Sequence, residues 1–431
     1  MNRIIATTGV TVLGAVAAQP VVAQDNKLWS INATVRSFYD DNYATLPSHA
    51  AVGNPTKRST WGAELSPSGA YKLDWGQTAL NLSSRYGMRY YEDRRGNSAD
   101  HSFDFGADLT HQFTENQTLS LVNNFAVAQE PGVLDPGLVS TPLKTQGSNV
   151  RNNVALKYVW NDIIERWSGE VSYANTFYDF QEDNTSKGAI ASRSALLDRF
   201  EHLFTLAGRY RIFDETSTEL LFGYSLGLKD STSKDEILTG VSPTARDSRA
   251  HSIFTGIGHR FTPDLRVAAR VGYQYTEYPN AGQADAALAA AGAPAYARSQ
   301  SSPYVDASGT WNYLPNSSLQ LGVRVNRIAT DVSESLDAEA TTVYASLNHE
   351  FVPDLRGSLL AQFQHSSYRQ SVATGPRDTA DNLFTTGLNL EWKFHQFWSL
   401  ETGYNYDRLD SDLANRSYYR NRVYLGFKAS Y

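Results

Sequence analysis

Residues 261–277 read FTPDLRVAARVGYQYTE, and this stretch combines a tight turn with a strictly alternating segment. Pro263 presets φ and Asp264 can hydrogen-bond its own backbone, so the pair suits the centre of a reverse turn. After the turn, two sets of side chains alternate: Leu265, Val267, Ala269, Val271, Tyr273 and Tyr275 against Arg266, Ala268, Arg270, Gly272, Gln274 and Thr276. This period of two predicts a β-strand with one apolar and one hydrated face.

The same kind of turn recurs along the chain, and a nearly identical hexapeptide, FVPDLR, occupies residues 351–356. About eight such turns follow one another at intervals of roughly 40–50 residues, which is an internal repeat of one structural unit. They are residues 72–80, 113–121, 160–167, 212–220, 261–266, 313–321, 351–356 and 394–400. Longer polar segments lie between them, at residues 41–59, 92–100, 129–148, 183–196, 230–247, 278–301, 331–337, 370–381 and 410–416. Each repeat therefore contains two strands, one short turn and one longer loop.

The number of connections predicts the architecture. About eight short turns and nine longer loops join roughly 18 strands, with 16 as the alternative. An even number of antiparallel strands suits a single-chain bacterial barrel and places both termini at the short-turn rim. The sequence thus predicts an all-β fold over residues 24–431, a transmembrane antiparallel β-barrel with short periplasmic turns and longer extracellular loops. An Ala-rich stretch within residues 278–301 favours a short helix in one loop.

Aromatic residues collect near the ends of the predicted strands, as a lipid-embedded barrel requires at the boundary between hydrocarbon and water. They include Trp29, Trp160, Tyr210, Phe261, Trp311, Phe351, Trp392 and Trp398. An Arg facing lipid at mid-depth costs about 2–4 kcal/mol, so the Arg-bearing faces are predicted to line the lumen. A soluble β-propeller is the alternative fold, because its blades also repeat at a similar interval.

The composition narrows the class of protein further. The chain has no Cys, which excludes a disulfide framework, and its net charge of −7 argues against a nucleic-acid partner. Residues 1–23 combine Arg3 with an apolar run and small residues, and predict a signal peptide cleaved after Ala23. No later run is apolar enough for a spanning helix. The first strand is expected near Lys27, which leaves no room for an amino-terminal plug domain.

The most specific short feature is the final stretch, SYYRNRVYLGFKASY at residues 417–431. It ends on an aromatic residue preceded by apolar side chains at alternate positions, and resembles the sorting signal of outer-membrane barrels. This predicted assembly signal comprises Val423, Leu425, Phe427, Ala429 and Tyr431. With the signal peptide, the alternating hairpins and the two hexapeptide turns, it makes the mature chain resemble the porin-2-like β-barrel porins of Gram-negative bacteria. The resemblance implies an outer-membrane channel whose partners are lipids, the barrel-assembly machinery and small hydrophilic solutes; it supplies no functional residues.

A barrel of about 18 strands leaves an aqueous channel unless something fills it, so passive diffusion of small hydrophilic solutes is expected. The candidate pore-lining residues are Arg85, Arg89, Arg209, Arg211, Arg260, Arg266, Arg270, Arg324, Arg356, Arg420 and Arg422. A belt of cations would favour anions, although Glu219 and Glu350 lie near the same rim and could neutralise it. The Pro- and Gly-rich segment 129–148 could fold inward and narrow the pore, or remain a surface loop.

Two other functions would use the same barrel: surface adhesion through the loops, and catalysis. A catalytic site needs a nucleophile and a base within hydrogen-bond reach. The histidines are scattered without metal-ligand spacing, and two of them lie near turns in the apolar register, where an interfacial position is expected. They include His101, His111, His202, His259 and His395. No catalytic residue, metal site or cofactor is predicted.

Overall fold

The computed structural model describes residues 27–47, 56–94, 98–128, 148–181, 191–212, 218–292, 295–372 and 375–431. The predicted signal peptide lies outside these residues. Within them the chain forms 18 strands. They are β1 (Trp29–Asp40), β2 (Thr60–Asp74), β3 (Thr78–Tyr91), β4 (Ala99–Thr114), β5 (Gln117–Ala128), β6 (Asn149–Ile164), β7 (Trp167–Phe180), β8 (Arg199–Arg211), β9 (Thr218–Ser231), β10 (Ser248–Arg260), β11 (Leu265–Glu277), β12 (Ser299–Leu314), β13 (Ser317–Ile328), β14 (Ala338–Val352), β15 (Leu355–Val372), β16 (Gly375–His395), β17 (Trp398–Ser411) and β18 (Tyr418–Ser430).

All 18 strands belong to one antiparallel sheet in which each strand pairs with its neighbours in sequence. The sheet closes because β1 also pairs with β18, from Asn32 opposite Ser430 to Asp40 opposite Arg422. A closed cylinder has no free edge, so every strand is hydrogen-bonded on both sides. The predicted all-β barrel of 18 strands is confirmed.

The short turns connect consecutive strands at one rim of the barrel. In the first hexapeptide, β10 ends at Arg260 and β11 begins at Leu265, and the amide of Leu265 donates to the carbonyl of Thr262 at 3.3 Å. In the second hexapeptide, only Pro353 and Asp354 separate β14 from β15. These turns therefore lie where the Pro-Asp pairs predicted them.

One predicted loop is wrong. Residues 370–381 were expected to form a long connection, but β15 continues to Val372 and β16 begins at Gly375. The two strands remain paired as far as Val372 opposite Gly375. The alternation of side chains was hidden because both faces of a strand beyond the membrane are polar.

Exposure alternates along the strands as the period of two requires. In β18, Val423, Leu425 and Phe427 are 47, 54 and 55% exposed, whereas Arg422 and Tyr424 are 2 and 5% exposed. Apolar side chains on the outside of a soluble barrel would be costly, but lipid favours them. The apolar face is therefore the outer surface, and the polar face surrounds the lumen.

Aromatic side chains form belts near both ends of this surface. Near the short-turn rim, Trp75, Phe261 and Trp392 are exposed. Near the long-loop rim, Trp61 packs on Tyr39 with 5.1 Å between ring centroids. The belts mark the two interfaces between hydrocarbon and water.

The longer loops carry the short helices. They are α1 (Arg193–Leu197) between β7 and β8, a 3-10 helix (Pro243–Arg246) between β9 and β10, and a 3-10 helix (Ala281–Ala284) followed by α2 (Asp285–Ala290) between β11 and β12. The helix expected within residues 278–301 is confirmed. No helix in the described part of the chain is long and apolar enough to cross a membrane.

Candidate functional site in the lumen

The inward faces of the strands carry two differently arranged sets of charges. On one side, β1 to β3 and β17 to β18 surround the junction between the first and last strands. On the other side, β7 to β13 lie beneath the helical loops. The two sides are called the seam wall and the roofed wall.

The seam wall contains a compact ion-pair network, called the seam network. Glu64 lies at its centre and is 3% exposed. Its carboxylate is 2.7 Å from the Arg422 guanidinium, 3.4 Å from that of Arg36, 3.5 Å from that of Arg89 and 4.0 Å from that of Arg85. One buried carboxylate thus contacts four cations, because β1, β2, β3 and β18 direct these side chains to one point.

A second carboxylate and several rings complete the seam network. Glu401 on β17 accepts a 2.5 Å hydrogen bond from Nε of Arg36. The Arg36 guanidinium also lies 4.6 Å from the Tyr424 ring centroid, and that of Arg422 lies 4.3 Å from the Phe38 ring. Cation–π contacts of this kind are strongest where water is excluded. The side chains here fill the wall and leave little of themselves exposed to the lumen.

This packing corrects part of the pore-lining prediction. Arg420 and Arg422 face inward as predicted, but they are 1 and 2% exposed. Nε of Arg420 donates to Asp407 at 2.8 Å, and Arg422 is occupied by Glu64. These two side chains lie inside the wall, where a passing solute does not touch them. The alternation of side chains identifies the inward face of a strand. It does not show whether an inward side chain is packed within the wall or exposed to the lumen.

The basic belt predicted near the short-turn rim is partly neutralised. Arg209 pairs with Glu170 on β7. Arg211 lies 3.4 Å from Asp162, and Arg356 lies 2.9 Å from Glu350. Glu350, one of the two carboxylates that could neutralise the belt, therefore pairs with Arg356.

Three of the predicted arginines form no ion pair within the described residues: Arg260, Arg266 and Arg270. Arg260 and Arg266 lie directly opposite each other on β10 and β11, and Arg270 lies four residues after Arg266 on the same face of β11. Arg324 on β13 and Arg270 both lie opposite Asp306 on β12. Positive charge is therefore in excess along β10 to β13.

The long loops above this wall pack into one apolar cluster, called the roof. The cluster joins four connections, those between β7 and β8, β9 and β10, β11 and β12, and β13 and β14. Its buried residues are Tyr178, Phe180, Ala195, Leu196, Leu197, Ile237, Val241, Ala245, Tyr278, Ala281, Ala284, Leu288, Tyr296 and Leu336. Burial of this much apolar surface holds the loops in one arrangement.

Arg246 connects the roof through backbone carbonyls. It is 2% exposed, and its guanidinium donates to the carbonyls of Leu196, Thr330, Val332 and Ser335 at 2.6–3.2 Å. Burial lowers the pKa of Arg246. Four carbonyl dipoles from two loops thus compensate one buried cation, and fix those loops to each other.

Tyr278 and Asp337 form a second connection in the roof. The hydroxyl of Tyr278 donates to the Asp337 carboxylate, which also accepts from Nε of Arg327 at 2.6 Å. Burial raises the pKa of the Tyr278 hydroxyl, and the adjacent carboxylate raises it further. The hydroxyl consequently keeps its proton and remains a donor.

The roof extends over the lumen. Leu197 at the end of α1 lines the same small cavity as Leu383 and Leu409, which lie on β16 and β17. β8 and β16 are eight strands apart in the ring of 18, and are therefore nearly opposite. Leu197 therefore reaches from the start of β8 towards strands on the other side of the ring. The inward-folding loop predicted at residues 129–148 lies outside the described residues, except for Ser148.

A cavity lies between the roof and the roofed wall, and we call it the roofed cavity. Its cavity volume is about 190 Å³. It is lined by residues of β7 to β13, most of them on the inward face, and by Ala329 and Asp337 of the roof. Two of the predicted arginines, Arg270 and Arg324, reach it.

Four of the described histidines, His101, His111, His202 and His259, occupy the lipid-facing register. Nδ1 of His111 is 2.7 Å from the Thr78 hydroxyl, and Nδ1 of His259 is 2.7 Å from the Thr218 hydroxyl. His101 and His202 are bonded in the same way to Tyr86 and Tyr173, while His395 accepts from the amide of Phe397 in a turn. Among the described residues, no group of three His, Asp or Glu side chains could hold a metal ion.

Sequence reasoning missed Glu64, Lys229 and Arg246. Glu64 and Lys229 occupy inward positions of β2 and β9, so the alternating pattern could have identified them as lumenal. Arg246 follows "SPTA" in a polar loop, and nothing local distinguishes it from a solvated arginine.

Comparison with known proteins gives a family match over nearly the whole chain. A family model described as putative beta-barrel porin 2 matches residues 32–431. The sequence matches no curated protein. Among solved structures, the chain is similar to a BenF-like porin from Pseudomonas fluorescens Pf-5 at 11% identity, with 94% of this chain and 99% of that chain covered and a TM-score of 0.46. It is also similar to OccAB3 of Acinetobacter baumannii, at 12% identity, 94% and 99% coverage and a TM-score of 0.44. The family match begins within β1 and ends with the last residue, so it covers most of β1 and all of β2 to β18.

Proposed function

The chain belongs to the beta-barrel porin 2 family of the outer membrane, and from that premise we propose that it is a passive diffusion channel favouring small anionic solutes. The observation that supports anion preference is the excess of positive charge on the roofed wall. Arg260, Arg266 and Arg270 lie within a few residues of one another and have no ion pair among the described residues. Cations that line a narrow passage select solutes by the sign of their charge.

The proposal assigns the seam network no role in passage. Its arginines are paired with Glu64 and Glu401, and Arg422 is almost completely buried. Anion preference is thus expected to come from one side of the lumen. No chemical reaction is assigned to the channel.

Planar-bilayer recording of the refolded protein tests the proposal. We expect stepwise conductance, and in a salt gradient a reversal potential of the sign that anion permeation gives. Absence of conductance would reject the channel. Conductance with cation preference would reject only the anion selectivity.

We also propose that residues 1–23 direct export and that the last strand is read by the assembly machinery. Val423, Leu425 and Phe427 form an exposed apolar row ending near Tyr431, which supports recognition by another protein before insertion. Deletion of Tyr431 is expected to reduce the amount of folded barrel in the outer-membrane fraction. Normal accumulation of the deletion variant would contradict the terminal signal.

A further inference from the structure

Three strands end towards the short-turn rim with the same pattern, His-x-Phe, where x is any residue. The three copies are residues 111–113, 259–261 and 349–351, and they are called the His-x-Phe units. In the last two, the Phe is also the first residue of a hexapeptide turn. Because side chains two positions apart on a strand share a face, the His and the Phe of each unit lie together. All three Phe side chains are exposed on the outer surface of the barrel, so this face is turned to lipid.

The units lie at the level of the aromatic belt near the short-turn rim. His111 and His349 each lie three residues before the last residue of their strand, and so do Trp311 and Trp392. His259 occupies the equivalent place before a turn of four residues instead of two. The same belt position is therefore filled by an indole ring on some strands and by an imidazole ring on others. A ring at this boundary has its apolar part in hydrocarbon and its N–H group near the lipid headgroups.

A hydroxyl group contacts Nδ1 of each imidazole. Nδ1 of His111 and Nδ1 of His259 are both 2.7 Å from a threonine hydroxyl on the preceding strand, and Nδ1 of His349 is 2.9 Å from the Tyr313 hydroxyl. None of the three imidazoles has another hydrogen bond within the described residues. When a hydroxyl donates to Nδ1 of a neutral imidazole, the ring hydrogen is on Nε2, and Nε2 is then a donor.

The phenylalanine of each unit holds the imidazole plane. The His and Phe ring centroids are 4.6, 4.3 and 4.6 Å apart, and the ring planes are inclined by 79, 81 and 87°. Aromatic pairs prefer such edge-to-face geometry, so the three rings share one orientation relative to their Phe. The three imidazoles are half-buried. Each is therefore held by a hydroxyl and a phenyl ring, and remains partly accessible at the membrane interface.

A fourth His-x-Phe sequence, residues 395–397, lacks this arrangement. His395 is the last residue of β16, and its Nδ1 accepts from the amide of Phe397 at 3.4 Å within the turn. Its ring centroid is 5.7 Å from that of Phe397, with an angle of 54° between the planes. The belt position on this strand belongs to Trp392. The sequence pattern thus becomes a unit only where the imidazole reaches the belt and meets a hydroxyl of another strand.

The distribution of the units favours one kind of partner. They lie on β4, β10 and β14, which are six, four and eight strands apart around the closed ring of 18. A protein docked on one side of the barrel would cover only part of this perimeter, whereas lipid surrounds all of it. The short turns of outer-membrane barrels are periplasmic, and phospholipids form the periplasmic leaflet.

From these contacts we propose that the three His-x-Phe units are binding sites for phospholipid headgroups. The hydroxyl donates to Nδ1, the Phe holds the ring, and Nε2–H donates to a phosphate oxygen of the lipid. These sites belong to the outer surface of the barrel and do not depend on the anion preference of its lumen.

Native mass spectrometry of the refolded full chain in detergent tests the binding. The probes are dioleoyl phosphatidylethanolamine and dioleoylglycerol, which have the same acyl chains, but only the first has a phosphate. We expect the barrel to bind the phospholipid about fivefold more tightly than the diacylglycerol, which corresponds to one hydrogen bond. Equal binding of the two probes would overturn the proposal.

Substitutions separate the hydrogen bond from the packing of the ring. Combined replacement by His111→Phe, His259→Phe and His349→Phe keeps a ring at each unit without a donor, and should abolish the preference for the phospholipid. Replacement of the same three residues by Trp keeps a ring N–H, as the belt has on other strands, and should preserve the preference. His395→Phe is the matched control and should leave it unchanged. An unchanged preference in the combined Phe variant, or an equal loss in the Trp variant, would overturn the site.

His259→Phe alone provides the test if the combined variant does not refold, and a smaller loss in the same direction is expected. Size-exclusion chromatography of the same samples examines the other occupant of this face, a second copy of the chain. If the Phe substitutions change the oligomeric state and leave phospholipid binding intact, the face is a contact between copies and the proposal is overturned.

Discussion

The seam wall and the roofed wall are both rich in arginine, but they use it differently. In the seam network, Glu64 contacts four guanidinium groups and is almost completely buried. On the roofed wall, Arg270 and Lys229 border a cavity and have no ion pair among the described residues. The same residue type at the same inward register therefore either builds the wall or faces the solute, depending on whether a carboxylate and aromatic rings surround it.

The seam network joins residues that are distant in sequence. Arg36 and Glu401 are 365 positions apart, and Arg422 and Glu64 are 358 apart. These contacts form only when β1 and β18 meet, so they stabilise the closed cylinder over an open sheet. Removal of one partner from such a network leaves a buried charge without compensation. This change is strongly destabilising.

Glu64→Gln is expected to have the largest effect, and it tests the structural role of the seam network. Four cations would then share the remaining carboxylates, and we expect the free energy of unfolding to fall by about 3–5 kcal/mol. Urea titration of the folded barrel, followed by its heat-modifiable migration on gels, measures this change. Asp108→Asn is the control, because Asp108 faces inward on β4 but forms no ion pair among the described residues. Equal destabilisation by both substitutions would contradict the structural role of the network.

Arg246→Met tests the roof above the other wall. Loss of the guanidinium leaves buried carbonyls unsatisfied, so we expect the free energy of local opening to fall by about 1–3 kcal/mol while the barrel stays folded. Hydrogen exchange at the amides of the α1 loop measures this opening. Arg298→Met is the control, since Arg298 forms an exposed ion pair with Asp285 in the same loops. If exchange is unchanged in Arg246→Met, Arg246 does not hold the roof.

Arg270→Gln tests whether this arginine of the roofed wall contributes to anion preference. A unit charge at roughly 8 Å in water is worth about 0.5 kcal/mol, so anion preference should fall about twofold while stability changes little. Reversal potentials in a salt gradient measure the preference. Arg249→Gln is the control, because Arg249 is exposed and opposite in register to the lumenal residues of β10. An equal shift in the control would attribute the selectivity to overall charge.

The smallest effect is expected for Arg356→Gln. Arg356 pairs with Glu350 at 2.9 Å, but its side chain is 60% exposed. Exposed ion pairs contribute at most about 1 kcal/mol, so urea titration should show a much smaller loss of stability than for Glu64→Gln. A loss as large as in the seam variant would mean that pairing, and not burial, determines the contribution of these arginines.

Much of the fold could be predicted from local features. Pro263-Asp264 and Pro353-Asp354 fix turns because Pro and Asp restrict the backbone wherever they occur. Alternation identifies the strand faces because neighbouring side chains on a strand must point in opposite directions. The hairpin at residues 370–381 was missed because this signal disappears where both faces are polar.

The candidate site was less predictable. The alternating pattern selected Arg270 and Arg324, which line the roofed cavity, and also Arg420 and Arg422, which are buried. Only contacts across the barrel separate the two cases.

The sequence by itself determined that this chain forms about 18 antiparallel strands with an apolar outside and a polar inside, because turns and alternation are properties of adjacent residues. The tertiary structure alone decided which inward charges are neutralised, which loops cover the lumen and where a cavity remains. Those outcomes depend on side chains hundreds of positions apart that meet when the cylinder closes, and no local pattern records which of them will be neighbours.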